Sequence, residues 1–153
     1  MADVVPRRRR SEIMAGIGSK DTTPEMLARS ALHKAGCRYR LHDRSLPGTP
    51  DVVLAGPRIA LFIHGCFWHH HDCPAGRVPK TNVRYWRRKF ARNAERDAEA
   101  TALLRKMGWM PVVVWECELR KDADAAVAEV ARIAKRHYAR KSIAVPMNRP
   151  WTG

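Results

Sequence analysis

The apolar residues of this chain fall in short blocks separated by long charged stretches, and the block lengths predict alternating strands and helices. Asp51-Val-Val-Leu-Ala and Ile59-Ala-Leu-Phe-Ile63 are apolar runs on either side of Gly56-Pro57. Runs of that length bounded by turn residues predict an antiparallel hairpin. With the turn centred on Gly56-Pro57, Asp51 lies across from residue 62 or 63, a carboxylate beside the Ile63 backbone carbonyl at one end of the sheet. Trp109 to Trp115 predicts a third strand, Arg38 to Leu41 a short one, and Leu46-Pro-Gly-Thr-Pro50 a rigid loop. Asp21-Thr-Thr-Pro24-Glu25 reads as a helix start, and Met26, Leu27, Ser30, Ala31 and Lys34 continue it at helical spacing over 24–36. A long basic helix is predicted over 82–107, with Phe90, Ala94, Asp97, Thr101 and Leu104 on one buried stripe. Asp122 to His137 predicts an Ala-rich amphipathic helix. Together these elements give an α/β domain, a mixed β-sheet flanked by helices.

Length and charge narrow the class. A chain of 153 residues makes one domain, large enough to bury roughly two thirds of its unfolded surface without disulfides. The expected division is a basic arm over 1–20, a folded domain over 21–138 and a mobile basic tail over 139–153, with no internal repeat. Lys and Arg number 29 against 15 Asp and Glu, a formal charge of +14 that favours a polyanionic partner. Nucleic acid leads, because phosphate contacts release condensed counterions; a ribosomal or membrane-surface role shares the same charge. No apolar run reaches membrane-span length, and Val4-Val-Pro-Arg7 lacks the core of a secretory signal, so the chain is expected in the cytoplasm. There, four cysteines point to thiolate or metal chemistry rather than disulfides, with Cys37 a small buried hydrophobe.

The densest chemistry follows the second strand of the hairpin, in His64-Gly-Cys66-Phe-Trp-His69-His-His71-Asp-Cys73. Cys66, His71 and Cys73 can converge on one ion if the loop folds back tightly. Tetrahedral zinc then wants a fourth nitrogen or sulfur, for which Cys117 in Val114-Trp-Glu-Cys117 is the best candidate. His70 has no obvious duty and is expected to face solvent.

A second constellation joins Asp51 to His64 and His69. Hard ions such as magnesium take carboxylate and carbonyl oxygen, while an imidazole near neutrality can take a proton from water, and phosphodiester hydrolysis needs both. Asp97, on its predicted stripe, should have found a partner, and a histidine of the active loop suits. Glu25 is ambiguous, since the helix dipole favours a first-turn glutamate whatever its function. Phe67, Trp68 and Trp86, with Met14 on the arm, are candidate wedges. Phe67 and Trp68 lie among metal ligands with little core expected to receive them, and apolar wedges can unstack base pairs where pairing is already defective.

With Leu46-Pro-Gly-x-Pro-Asp51, His64-Gly-Cys-Phe-Trp-His-His-His71-x-Cys73, Asn93-x-Glu-Arg-Asp97, Val114-Trp-Glu-Cys117 and the amino-terminal Arg10-Ser-x-x-Met14 and Lys20-Asp-Thr22, the chain resembles the very short patch repair (Vsr) endonucleases. The resemblance implies a restriction-endonuclease-like core with a zinc-bound loop. It also implies a magnesium-dependent enzyme that nicks duplex DNA 5′ to the thymine of a T:G mispair left by 5-methylcytosine deamination. Carried over residue by residue, Asp51 and the main-chain carbonyl of Ile63 bind magnesium, His69 is the general base, and His64, Glu25 and Asp97 support the water and metal network. Cys66, His71, Cys73 and Cys117 hold structural zinc; Phe67, Trp68 and Trp86 wedge from the major groove and Met14 approaches from the other side. Position 63 is Ile where the best-known form of the motif has Thr, a change a backbone ligand tolerates. The Glu-x-Lys of other restriction nucleases is missing after the hairpin, as is normal for this family. Implied partners are a repair polymerase and mismatch-repair proteins of the MutL type, and a monomer is expected because an asymmetric lesion needs no twofold reader. From the residues alone, a non-catalytic zinc-containing binder of distorted duplex and a less selective structure-specific nuclease stand as alternatives.

Overall fold

The computed structural model of the chain describes residues 21–144; the arm with Met14 and residues 145–153 lie outside them. The elements run α1 (Thr23–Lys34), β1 (Arg40–Leu41), β2 (Val52–Leu54), β3 (Ile59–His64), α2 (Val83–Lys106), β4 (Met110–Trp115), α3 (Glu116–Lys121) and α4 (Ala123–Ala144), with a single 3-10 turn at Pro74–Gly76. The strands form one sheet in the order β1-β2-β3-β4. β1, β2 and β3 pair antiparallel, and β4 joins β3 in parallel, so the sheet is mixed as the sequence predicts.

Side-chain alternation along the strands divides the core in two. Val52, Leu54, Ile59 and Leu61 face α1 and α4, where they meet Ala28, Leu32, Val127 and Val130. Val53 and Ala60 face the other way and pack with Leu46 and Leu104, the last from α2. The register Val52↔Leu61 sets Asp51 opposite Phe62, within the predicted range. By the same alternation Asp51, Phe62 and His64 share the α2 side of the sheet.

Three helix expectations change in detail. In α1 the predicted face is rotated: Met26, Ser30 and Lys34 are exposed, whereas Pro24, Glu25, Ala28, Arg29, Ala31 and Leu32 are buried. Apolar patterning misses this because the buried face carries an ion pair, Arg29 Nη2 to Glu25 Oε2 at 3.0 Å. In α2 the buried stripe is Trp86, Phe90, Ala100 and Leu104; Ala94 is exposed and Asp97 only half-buried, at the mouth of a cleft. α4 continues to Ala144, past the predicted start of the tail at Ala139, because no Gly or Pro interrupts a run of helix-tolerant residues before Pro146. Asp122 caps it by accepting from the Ala125 N–H at 3.0 Å. Among the described residues, no helix is long and apolar enough to cross a membrane.

Candidate active site and metal centre

Parallel pairing of β3 with β4 positions the chemistry. The two strands end side by side, His64 against Trp115, and each chain places a cysteine two residues further on, Cys66 and Cys117. Residues distant in sequence are thereby brought to one edge of the sheet. The loop after β3 then returns on itself: His71 N donates to the Cys66 carbonyl at 2.9 Å and Cys73 N to the His71 carbonyl at 2.8 Å. Gly76 is required at the closure, because a Cβ there would lie 1.9 Å from the His71 carbonyl oxygen.

Cys66, His71, Cys73 and Cys117 each present a ligand atom within 4.8 Å of the others. For zinc, bond lengths of about 2.3 Å to sulfur and 2.0–2.1 Å to nitrogen on a tetrahedron imply a sulfur–nitrogen edge of roughly 3.6 Å. Cys117 Sγ and His71 Nδ1 stand 3.5 Å apart. The residues therefore fit the ion, with all four ligand positions supplied by protein. Burial pushes the Cys66 thiol up to about 12. At Cys73 burial acts in the same upward direction, but hydrogen bonding by His71, the Gly76 N–H and Cys66 outweighs it and brings the thiol to about 7. His71 is held flat against Trp115, ring centroids 4.1 Å apart. Cys37 lies apart in the α1–α4 core, a buried free thiol raised by desolvation, as predicted.

The same loop sends its other histidine the opposite way. His69 Nδ1 lies 2.6 Å from Asp97 Oδ2 on α2, and the His69 ring stacks on His64 at 3.6 Å, nearly parallel at 4°. An ionised carboxylate only accepts, so Nδ1 carries the proton toward Asp97, and in the neutral imidazole the lone pair is then on Nε2. Burial holds His64 down at about 4, with His69 adding to the effect, so His64 is neutral near pH 7.

A cleft of about 610 Å³ opens onto this pair and is bordered by Glu25, Asp51, His64, His69 and Asp97. Asp51 Oδ2 accepts the Ile63 N–H at 2.7 Å. The Asp51 carboxylate thus meets the amide of residue 63 rather than resting against its carbonyl alone. Burial, helped by the nearby Glu25 carboxylate and opposed by the Ile63 N–H, raises Asp51 to about 6. Glu25 receives the Asp21 N–H and Arg29 Nη2 at the same oxygen, Oε2. Among the described residues, one oxygen of each carboxylate, Asp51 Oδ1 and Glu25 Oε1, is left without a partner. Two such oxygens beside an open cleft suit a hard cation.

The aromatic residues behave differently from expectation. Phe67 does find core: its ring lies 5.1 Å from Trp86 and 5.5 Å from Phe90 on α2, and 5.1 Å from Trp68. Trp86 is only 8% exposed. His70 is exposed as predicted but is tied down, with Nδ1 at 2.6 Å from the Gly76 carbonyl and its ring stacked on Phe90.

Sequence reasoning assigned no duty to several residues that build the site. Asn93 donates from Nδ2 to the Trp68 carbonyl at 2.8 Å, fixing the loop to α2; its position four residues before Asp97 is the signal that could have found it. Arg29, four residues further along α1, and His42, from the loop after β1, stand 3.0 Å apart and secure Glu25; the i,i+4 spacing of Glu25 and Arg29 is the signal that could have found the first, whereas no local pattern points to His42. Glu116 and Arg120, an i,i+4 pair at 3.0 Å, line the far wall of the cleft.

A family model described as DNA mismatch endonuclease Vsr matches residues 2–75. The DNA mismatch endonuclease Vsr of Escherichia coli K12 is 42% identical over 132 residues, covering 84% of this chain and 85% of its own length. The chain belongs to the Vsr family of DNA mismatch endonucleases. Two further relatives agree in kind. The type II nicking enzyme V.XorIIP of Xanthomonas oryzae pv. oryzae is 45% identical over 133 residues, spanning 87% of this chain and 97% of that one. V.NmeAIP, a type II nicking enzyme of Neisseria meningitidis, is 44% identical over 123 residues, 80% of this chain and 88% of its own. The paired carboxylates and the His69–Asp97 dyad are thus the candidate centre of a Vsr-family DNA endonuclease.

Proposed function

We propose that this chain nicks duplex DNA 5′ to the thymine of a T:G mispair arising from 5-methylcytosine deamination, initiating very short patch repair. The observation that supports this most is the meeting of Asp51, His64, His69 and Asp97 at one open cleft in a Vsr-family chain. His69 is the general base. With its Nδ1–H directed to Asp97, Nε2 accepts the proton of the attacking water as the water oxygen bonds to phosphorus and the bond to the leaving strand oxygen breaks. His64 lies flat against His69 and, its basicity lowered by burial, backs the ring without competing for that proton. Asp51 and the Ile63 carbonyl would hold magnesium, which supplies neutralisation of the charge developing on the phosphate. Glu25, with Oε2 anchored by Arg29, turns its other oxygen to the water network.

Cys66, His71, Cys73 and Cys117 would hold structural zinc, which would keep the His69 loop in place. Phe67, Trp68 and Trp86, together with Met14 on the arm, open the mispair. Because Trp86 is packed against Phe90 in the free protein, insertion exchanges ring contacts inside the protein for ring contacts with bases, an exchange most favourable where base stacking is already weak. A monomer acting in the cytoplasm, with MutL-type proteins and a polymerase downstream, completes the reading.

The test is nicking of otherwise identical duplexes carrying T:G, T:A or C:G at one site, with magnesium. Cleavage of T:G at least about a hundredfold faster than of the matched pairs is expected, given roughly 1–3 kcal/mol per discriminating contact. Equal cleavage would leave a less selective nuclease, and binding without cleavage a non-catalytic reader.

A further inference from the structure

Arg84, Arg88, Arg92 and Arg96 follow one another at four-residue intervals along α2. Such spacing aligns them on one side of the helix in a stripe about 18 Å long. Like charges at this spacing destabilise a helix. Among the described residues, Arg84, Arg88 and Arg92 have no ion-pair partner. On α4 and α3, by contrast, Arg132 pairs with Glu129 and Arg120 with Glu116. The α2 stripe is therefore a line of compressed positive charge that the fold itself leaves uncompensated.

Its position gives that charge a direction. The active cleft is continuous with a second recess of about 390 Å³ that shares His64, His69 and Asp97 and is bordered by Asn93 and Arg96. Arg96 also borders a third hollow, about 460 Å³, lined by Arg84, Arg88, Lys89 and Arg92 with Asn82 and Tyr85. The line of recesses thus leads from the catalytic dyad, over Arg96, along the stripe. It ends beside the aromatic cluster, where Lys89 Nζ sits 5.7 Å from the Trp68 ring centre. Arg87, on the same helix, does not line this hollow.

We propose that the α2 stripe is a phosphate track for one strand of duplex DNA on one side of the cut, running from the active cleft over Arg96, Arg92 and Arg88 to Arg84. A strand advances about 3.4 Å of helix axis per phosphate, so the stripe is long enough to run beside several phosphates. Four arginines at four-residue intervals form a row inclined to the helix axis, and guanidinium forks suit phosphate oxygens better than ammonium groups do. The direction of the track rests on the nicking reading; its affinity for DNA does not.

The test compares the full chain, zinc-loaded, with the triple variant Arg84→Gln, Arg88→Gln, Arg92→Gln and with a control triple on α4, Lys135→Gln, Arg136→Gln, Arg140→Gln. α4 packs on the opposite face of the sheet, so the control removes equal charge away from the track. Anisotropy titrations with a T:G duplex over a range of salt read the slope of log affinity against log salt. About 0.9 is expected per phosphate neutralised, so the track variant should lose about 2–3 from the slope and at least about tenfold in affinity near physiological salt, the control much less. Arg88→Gln alone should remove about 1, which secures the result if the triple fails to fold. Methylphosphonate linkages on one side of the cut should weaken wild type yet leave the triple variant almost unaffected; on the other side both should respond alike. Equal slopes in track and control variants, or equal methylphosphonate effects on both sides, would overturn the proposal. If T:G nicking is absent while the slope differs as stated, the track stands and the mismatch reading fails; normal nicking with unchanged slopes gives the reverse.

Discussion

One loop builds two sites of opposite character. Cys66, His71 and Cys73 turn toward Cys117 and gather their ligand atoms within 4.8 Å of one another, while His64 and His69, interleaved with them in sequence, turn toward α2 and an open cleft. The first site offers four ligand atoms, all from protein. The second leaves one oxygen on Asp51 and one on Glu25 uncommitted, opens onto a cleft, and contains in Asp51 a half-buried carboxylate whose charge is unfavourable until something cationic arrives. On the proposed reading the closed site stabilises structure and the open one does chemistry, so sharing a loop would make the second depend on the first.

That dependence is directional, so the two sites should fail differently. The largest effect is expected at the closed site. Cys117→Ser removes a ligand from α3 and should release both the loop and His69, lowering zinc content below one ion per chain, dropping the melting temperature by more than about 10 °C and abolishing nicking; binding of structural zinc contributes on the order of 10 kcal/mol. Zinc analysis with thermal melts checks it, and a stable, active, zinc-free variant would break the comparison. At the open site Asp97→Asn should leave zinc and melting temperature nearly unchanged but cut kcat by about 10²–10³, because the amide no longer favours the Nδ1–H tautomer of His69. The same variant should move the acidic limb of the pH–rate profile, which a purely structural role would not.

The smallest effect sharpens the electrostatic contrast. Asp51 is raised in the folded chain to about 6 from an ordinary 3.8. Stability from its protonated form is therefore fully present below the unfolded value and is lost as pH rises through about 6. In magnesium-free, zinc-loaded protein, Asp51→Asn should gain on the order of 1 kcal/mol relative to wild type between about pH 5 and pH 7.5. Urea melts at the two pH values measure it, and added magnesium should shrink the difference by stabilising wild type alone. A difference independent of pH would mean that the carboxylate is not held under strain of charge.

How much of this was legible in the sequence follows from the range of the interactions. The hairpin register, and with it Asp51 opposite residue 62, could be read because a short turn fixes pairing locally. Cys117 could be named as the fourth ligand because cysteine is scarce, although the parallel β3–β4 pairing that delivers it was not visible. The partnership of Asp97 with a loop histidine was reached from the cost of an unpaired carboxylate, even though Asp97 proved half-exposed. What escaped was a buried ion pair inside one helix and ring packing between distant segments. The buried Glu25–Arg29 pair turned α1 away from its apolar reading, and the packing of Phe67 onto Trp86 and Phe90 required knowing where α2 crosses the loop.

The most direct test of the central claim is single-turnover nicking of a T:G duplex by Asp51→Asn, measured alongside its zinc content and DNA affinity. Loss of at least about 10³ in rate, with zinc bound and affinity within a few-fold of wild type, is the expected result, since metal-assisted hydrolysis draws several kcal/mol from charge neutralisation at the phosphate. Nicking at near wild-type rate by a zinc-loaded, DNA-binding Asp51→Asn protein would contradict it and move the chemistry away from this cleft.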